Sequence, residues 1–138
     1  MDKIRRRERY ILPITYQIKS GVQLENDIRF TLEVVPADIT IHATGKMLAD
    51  SDEMAFVYLL EDNTSYQYLK FGQEVWPLLV NVLKATEDPT IQFGKQRIVL
   101  EQFREELRTL VFNIEGNDNY GEAFTQAVEQ SFKEILQT

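Results

Sequence analysis

The chain has 138 residues, a length that suits one domain. Apolar residues at 43% and the absence of cysteine exclude wholesale disorder, disulfides, thiolate nucleophiles and cysteine-based zinc sites. The net charge of −7 is uneven: residues 1–10 carry five bases against two acids, net +3, which leaves −10 on residues 11–138, a poor match for nucleic acid.

In chain order, residues 1–9 are charged and aperiodic and read as a flexible basic extension. The single domain is expected over residues 10–138. Leu12, Ile14, Tyr16, Ile18, Val22 and Leu24 then alternate with polar residues, the period of a strand with one wet face. Ser20-Gly21 predicts a bend or bulge, and Pro13 an edge position. Glu25-Asn26-Asp27 reads as a turn, and Ile28, Phe30, Leu32 and Val34 resume the apolar face, so a long antiparallel hairpin is expected. Pro36 ends it. Ile39 and Ile41 suggest one more short strand. Thr44 to Glu53 reads as a loop, with one helical turn over Lys46 to Ala49.

Ala55 to Glu61 is apolar on both faces, the pattern of a central strand. A turn at Asp62-Asn63-Thr64-Ser65 returns the chain along Tyr66 to Phe71. That loop length sets Phe56 against Phe71, Tyr58 against Leu69 and Leu59 against Tyr68. Trp76, Leu79, Val80 and Leu83 mark a helix with Pro77 in its first turn. Gly94-Lys95-Gln96 joins two short strands, with Gly first in the turn. Phe103, Leu107, Leu110, Val111 and Ile114 mark a second helix with Gly116 just past its end. Phe124, Ala127, Val128, Phe132 and Ile135 mark a third. The expected fold is α+β: an antiparallel sheet of about six strands, in the order ββ(β)ββαββαα, with three helices packed on one face.

Candidate chemistry is sparse. Asp50-Ser51-Asp52-Glu53 places three carboxylates in four residues, as a hard cation would want, but without the spacing of a calcium loop. A solvated acidic turn is the plainer account. Glu115 to Gln126 fails as a calcium loop twice, at Tyr120 and at Gln126. Asn117-Asp118-Asn119-Tyr120-Gly121 reads instead as helix punctuation, with a polar recognition loop as the alternative. His42 is the single histidine and has no nucleophile or partner motif around it. Tyr66, Tyr68 and Lys70 share one strand face. Aromatics so placed stack bases in some single-strand binders, but Lys70 is the only cation there, and a helix covering this face is the stronger reading. No phosphate-loop, dinucleotide or zinc-protease motif occurs. The longest apolar run, Met54 to Leu60, is too short for a membrane span, and the N-terminus lacks the apolar stretch of a secretory signal.

Two stretches carry a resemblance. Gly45-Lys46-Met47-Leu48-Ala49-Asp50-Ser51-Asp52-Glu53-Met54-Ala55-Phe56-Val57-Tyr58, with Trp76 downstream, is one. The segment from Gln102-Phe103-Arg104-Glu105-Glu106-Leu107 to Asn113-Ile114-Glu115-Gly116-Asn117-Asp118-Asn119-Tyr120-Gly121 is the other. Together they resemble a family of short cytosolic proteins from Bacillus- and Staphylococcus-type Gram-positive bacteria, over residues 10–135. The resemblance implies one small cytoplasmic domain and brings no established activity. The family often carries His where Arg104 stands, so no role passes to that position. The Arg-rich N-terminus looks like an extension peculiar to this sequence.

The expectation is therefore a non-catalytic cytoplasmic binding or regulatory domain acting through an acidic and polar loop surface. Its candidate contacts are Asp50, Ser51, Asp52, Asn117, Asn119 and Tyr120, on two loops expected to lie together. A protein partner or cationic ligand is expected there, with neither nucleic acid nor membrane, and no cofactor. A homodimer using Tyr10, Tyr16 or Tyr66 stays open. The alternative is a carboxylate enzyme on a phosphate-containing substrate, assisted by a divalent metal. It needs Asp50 and Asp52 to meet Glu105, Glu106 or Glu122.

Overall fold

The structure, a computed structural model, describes residues 14–32 and 40–137. The basic extension, Tyr10, Leu12, Pro13 and the stretch from Val34 through Pro36 to Ile39 lie outside those residues. Strands β1 (Ile14–Ile18), β2 (Ser20–Leu24), β3 (Asp27–Thr31), β4 (His42–Asp50), β5 (Ala55–Glu61) and β6 (Tyr66–Gly72) come first. Helix α1 (Trp76–Lys84), strands β7 (Thr90–Phe93) and β8 (Gln96–Val99), and helices α2 (Phe103–Ile114), α3 (Glu122–Ser131) and α4 (Lys133–Leu136) follow. The α+β class stands.

The single sheet becomes two. Sheet A has the order β1-β6-β5-β4 and sheet B the order β2-β3-β7-β8. Two of the pairings are parallel, β1 with β6 and β3 with β7. The break at Lys19 is therefore more than a bulge: the chain leaves sheet A there and enters sheet B. The hairpin is real but short, β2 against β3 around Glu25-Asn26, while β1 pairs elsewhere.

The β5–β6 hairpin has the expected register, with Phe56 opposite Phe71, Tyr58 opposite Leu69 and Leu59 opposite Tyr68. The expected loop at Thr44 to Glu53 is instead the nine-residue β4 followed by a tight turn. The strand carries a bulge. The register shifts between Ala43 and Lys46, and Gly45 takes φ +75, a left-handed conformation that glycine adopts without a Cβ clash. Met47 and Ala49 beyond the bulge face inward, in the same odd-numbered phase as Ile41 and Ala43 before it, and Lys46 and Leu48 face outward. The strand pattern is hidden because two inward residues are only alanine while Leu48 is exposed.

The inward faces of the two sheets meet each other. Phe30 of sheet B packs edge-on to Phe71 of sheet A at 4.9 Å, and Tyr16 edge-on to Phe93 at 5.2 Å. The helices complete this core. Phe103 of α2 contacts Phe30, Tyr58 and Phe71, while Phe56 and Trp76 pack with Phe124 and Phe132. The covered face of β6 thus carries Leu69 and Phe71. Tyr66, Tyr68 and Lys70 point the other way, and Tyr66 is exposed, which corrects the expectation that a helix covers them. The third helix breaks at Phe132 into α3 and α4, because the ring turns into the core at φ −105 and ψ 23. At its far edge β4 is tied toward β8 through Gln96, whose amide accepts from the Ile41 N–H at 3.1 Å. No helix among the described residues is long and apolar enough to cross a membrane.

Candidate functional site

The two loops read from sequence are held by their own polar groups. Asp50, half-buried at the end of β4, accepts from the Glu53 N–H at 3.2 Å. The Ser51 carbonyl accepts from Met54 N–H, which closes the turn with Met54 at φ 53. Asp52 is exposed, and Glu53 reaches across to Lys70 at 2.8 Å, an ion pair that holds its carboxyl below the usual carboxylate range. Asn117 accepts from Asn119 N–H at 3.0 Å and donates to the Asn113 carbonyl at 3.2 Å. Its own carbonyl accepts from the Thr125 hydroxyl at 3.0 Å. Asn119 is exposed. Tyr120 is half-buried, with its ring 6.2 Å from Phe124.

Both loops adjoin one aromatic cluster. Phe124, which touches Tyr120, lies 6.0 Å from Phe56, two residues past the β4–β5 turn. Among the described residues no hydrogen bond or ion pair joins one loop to the other. Nor do any three Asp, Glu or His side chains there gather into a group that could hold a metal ion. The convergence of Asp50 and Asp52 with Glu105, Glu106 or Glu122, which the metal-assisted alternative requires, is not formed. His42 lies exposed at the start of β4, opposite Glu61. Of the tyrosines considered for a dimer, Tyr16 is engaged inside the sheet pair.

A different surface collects binding chemistry. On sheet B, Ile28, Phe30, Ile91, Phe93 and Ile98 face the core. Alternation sends Val22, Arg29, Thr31, Thr90, Gln92 and Arg97 to the outer face, where they line a depression of about 270 Å³. It spans all four strands and depends on the parallel β3–β7 pairing, which sets Arg29 beside Thr90.

Arg29 is bound to Asp27 through Nε at 3.1 Å and Nη2 at 2.8 Å. That hydrogen bond, with the added charges of Arg29 and Arg97, holds the Asp27 carboxyl below its usual range. The same hydrogen bond to Asp27 raises the Arg29 guanidinium. Arg97 stands 3.7 Å from Asp27, outside hydrogen-bond reach, and makes no hydrogen bond among the described residues. The Thr90 hydroxyl oxygen is buried with no partner. Gln92 spends its amide N–H on the Gly94 carbonyl and keeps its oxygen available. Two guanidiniums against one carboxylate leave a net positive spot on an otherwise acidic body, next to the apolar Val22.

By alternation Arg29 falls opposite Ile28 and Phe30, on the polar side of its strand. Its meeting with Arg97 does not follow, because nothing in a period-2 pattern names the strand that lies alongside.

The profile of the UPF0738 family, described as a family of unknown function, matches residues 16–132. The chain is 40% identical over 121 residues to a UPF0738 protein of Lysinibacillus sphaericus, covering 88% of this chain and 95% of the relative. It is 34% identical over 117 residues to one of Bacillus cytotoxicus, covering 84% and 95%. A third, of Staphylococcus haemolyticus, is 39% identical over 116 residues, covering 80% and 91%. No solved structure matches the chain.

Proposed function

The chain belongs to the UPF0738 family of unknown function, and we propose that it is a cytoplasmic, non-catalytic binding domain for a small anionic ligand. The ligand carries a carboxylate or phosphate group beside a short apolar part. It sits on the outer face of sheet B. The observation that carries this reading is Arg97, a guanidinium with no hydrogen bond among the described residues, set over the same depression as the unpartnered Thr90 hydroxyl. Guanidinium matches carboxylate and phosphate in planar, two-point fashion. Val22 supplies the apolar wall, and Arg29 moves from Asp27 to the ligand at little cost, because exposed ion pairs contribute little.

Asp50 and Asn117 are then framework, since their side-chain hydrogen bonds are spent inside their own loops and on the end of α2.

The test is amide chemical-shift titration of the full chain with inorganic phosphate and, separately, with butyrate. Shifts confined to β3, β7 and β8 that saturate, and that vanish in Arg97→Gln, are the expected result. Absence of saturable shifts with both probes, or shifts centred on residues 50–53 and 117–121, overturns the reading.

A further inference from the structure

The outer face of sheet B offers acceptors as well as positive charge. Asp27 precedes Arg29 by two residues and shares its face of β3. Its Oδ2 accepts both Arg29 hydrogen bonds. Its Oδ1 accepts none among the described residues, since Arg97 stands 3.7 Å away. The Thr90 hydroxyl, beside Arg29 in the β3–β7 register, is likewise without a partner. Gln92 donates its amide N–H to the Gly94 carbonyl, which can only accept. That bond fixes the orientation of the amide and leaves Oε1 as a further acceptor.

A bare anion uses none of these oxygens except the hydroxyl, and there only as a donor. It also competes with Asp27 for the same guanidiniums. When it draws Arg29 off Asp27, Oδ2 loses its partner as well. A ligand that carries a cation next to its anion avoids this loss, because its cation takes the place that Arg29 vacates. Arg97 and Asp27 hold opposite charges side by side without closing into a hydrogen bond. Such a pair matches a ligand whose own opposite charges sit one carbon apart. Both side chains are open to solvent, at 42% and 41%. The depression, at about 270 Å³, falls below the range of about 300–1,000 Å³ usual for drug-sized ligands, so the ligand is small.

We propose that this ligand is a zwitterionic α-amino acid with a short aliphatic side chain, an inference that rests on the anion site assigned to sheet B above. Its carboxylate lies on Arg97 and Arg29. Its ammonium lies on Asp27 and the Thr90 hydroxyl oxygen. Its side chain lies on Val22, directly across the β2–β3 pair from Arg29. Simple carboxylates and phosphate then fill only the guanidinium half of the site.

Amide chemical-shift titration of the full chain with L-2-aminobutyrate, butyrate and propylamine at neutral pH tests it. The first two differ only by the α-ammonium, and the third lacks the carboxylate. L-2-Aminobutyrate should shift β3, β7 and β8 and bind about tenfold or more tighter than butyrate, while propylamine should not saturate. Asp27→Asn, a change at an exposed side chain whose amide spectrum reports the fold, should bring the two carboxylates to equal affinity. Butyrate binding as tightly as L-2-aminobutyrate overturns the inference and leaves the anion site standing. A preference that survives Asp27→Asn overturns the place given to the ammonium. If neither carboxylate saturates, the inference falls, and the anion site falls with it only where phosphate fails as well.

Discussion

The hydroxyl of Tyr58 donates a 2.7 Å hydrogen bond to the backbone carbonyl of Glu101. The same oxygen accepts from the Gly45 N–H at 3.2 Å. One central-strand side chain thereby fastens the bulge of β4 on one side and the approach to α2 on the other, while its ring stacks 5.6 Å from Phe103. Tyr58→Phe keeps the ring and removes both bonds, leaving a backbone donor and a backbone acceptor without partners. The expected cost is about 1–3 kcal/mol, read as a lower urea midpoint with unchanged slope. A change under a few tenths of a kcal/mol would mean that water replaces the hydroxyl freely.

Burial pushes the Tyr58 phenol up to about 12 from an ordinary 10. Its folded value lies above its unfolded one, so the stabilisation is fully present below pH 10. Between pH 10 and 12 the unfolded chain gives up a proton that the folded chain retains, and stability falls. The fall attributable to this residue is up to about 2 kcal/mol. Urea denaturation at stepped alkaline pH should show a steeper decline in the wild type than in Tyr58→Phe. Parallel declines would assign the alkaline sensitivity to other groups.

At the acid end Asp62 plays the complementary part. Its carboxylate accepts from the backbone of Thr64 at 2.7 Å and Ser65 at 2.8 Å, from the Thr64 hydroxyl, and from the buried Gln67 amide at 2.9 Å. The Thr64 and Ser65 N–H groups lead in holding its carboxyl below the usual 3.8. The folded value is depressed, so the stabilisation is present above the unfolded value and is lost as pH falls through the folded one. Asp62→Ala should cost about 2 kcal/mol at neutral pH. The gap to wild type should narrow below pH 3.8, checked by denaturant titrations at acid pH.

These same residues explain which parts of the molecule could be read from sequence. The β5–β6 register was legible because a four-residue turn, with Asp62 at its start, is local, and a period of two does the rest. The helices were legible because their stripes recur over many residues. The β4 strand was hidden by the small Ala43 and Ala49 on its inward face, by the outward Leu48, by the turn-like Gly45 at its bulge and by the acids that follow it. The parallel pairings of β1 with β6 and β3 with β7 were illegible for a deeper reason. A strand pattern gives a face and a period but never the neighbour across a crossover. The depression on sheet B inherits that limit, since Arg29, Thr90 and Arg97 meet only through β7.

The connection between α2 and α3 separates framework from contact residues. Asn117 caps the short turn Asp118–Tyr120 through its side chain and holds Thr125 through its carbonyl, whereas the exposed Asn119 side chain makes no hydrogen bond among the described residues. Asn117→Ala should therefore lower stability by about 1 kcal/mol, as loss of a cap does. Asn119→Ala should stay within about 0.5 kcal/mol. Both should leave the titration with phosphate or butyrate unchanged, because neither residue borders the depression. The informative variant is Asn119→Ala. If it weakened the capture of either probe while its thermal midpoint stayed that of the wild type, the loop would be a contact surface and the outer face of sheet B would lose its claim.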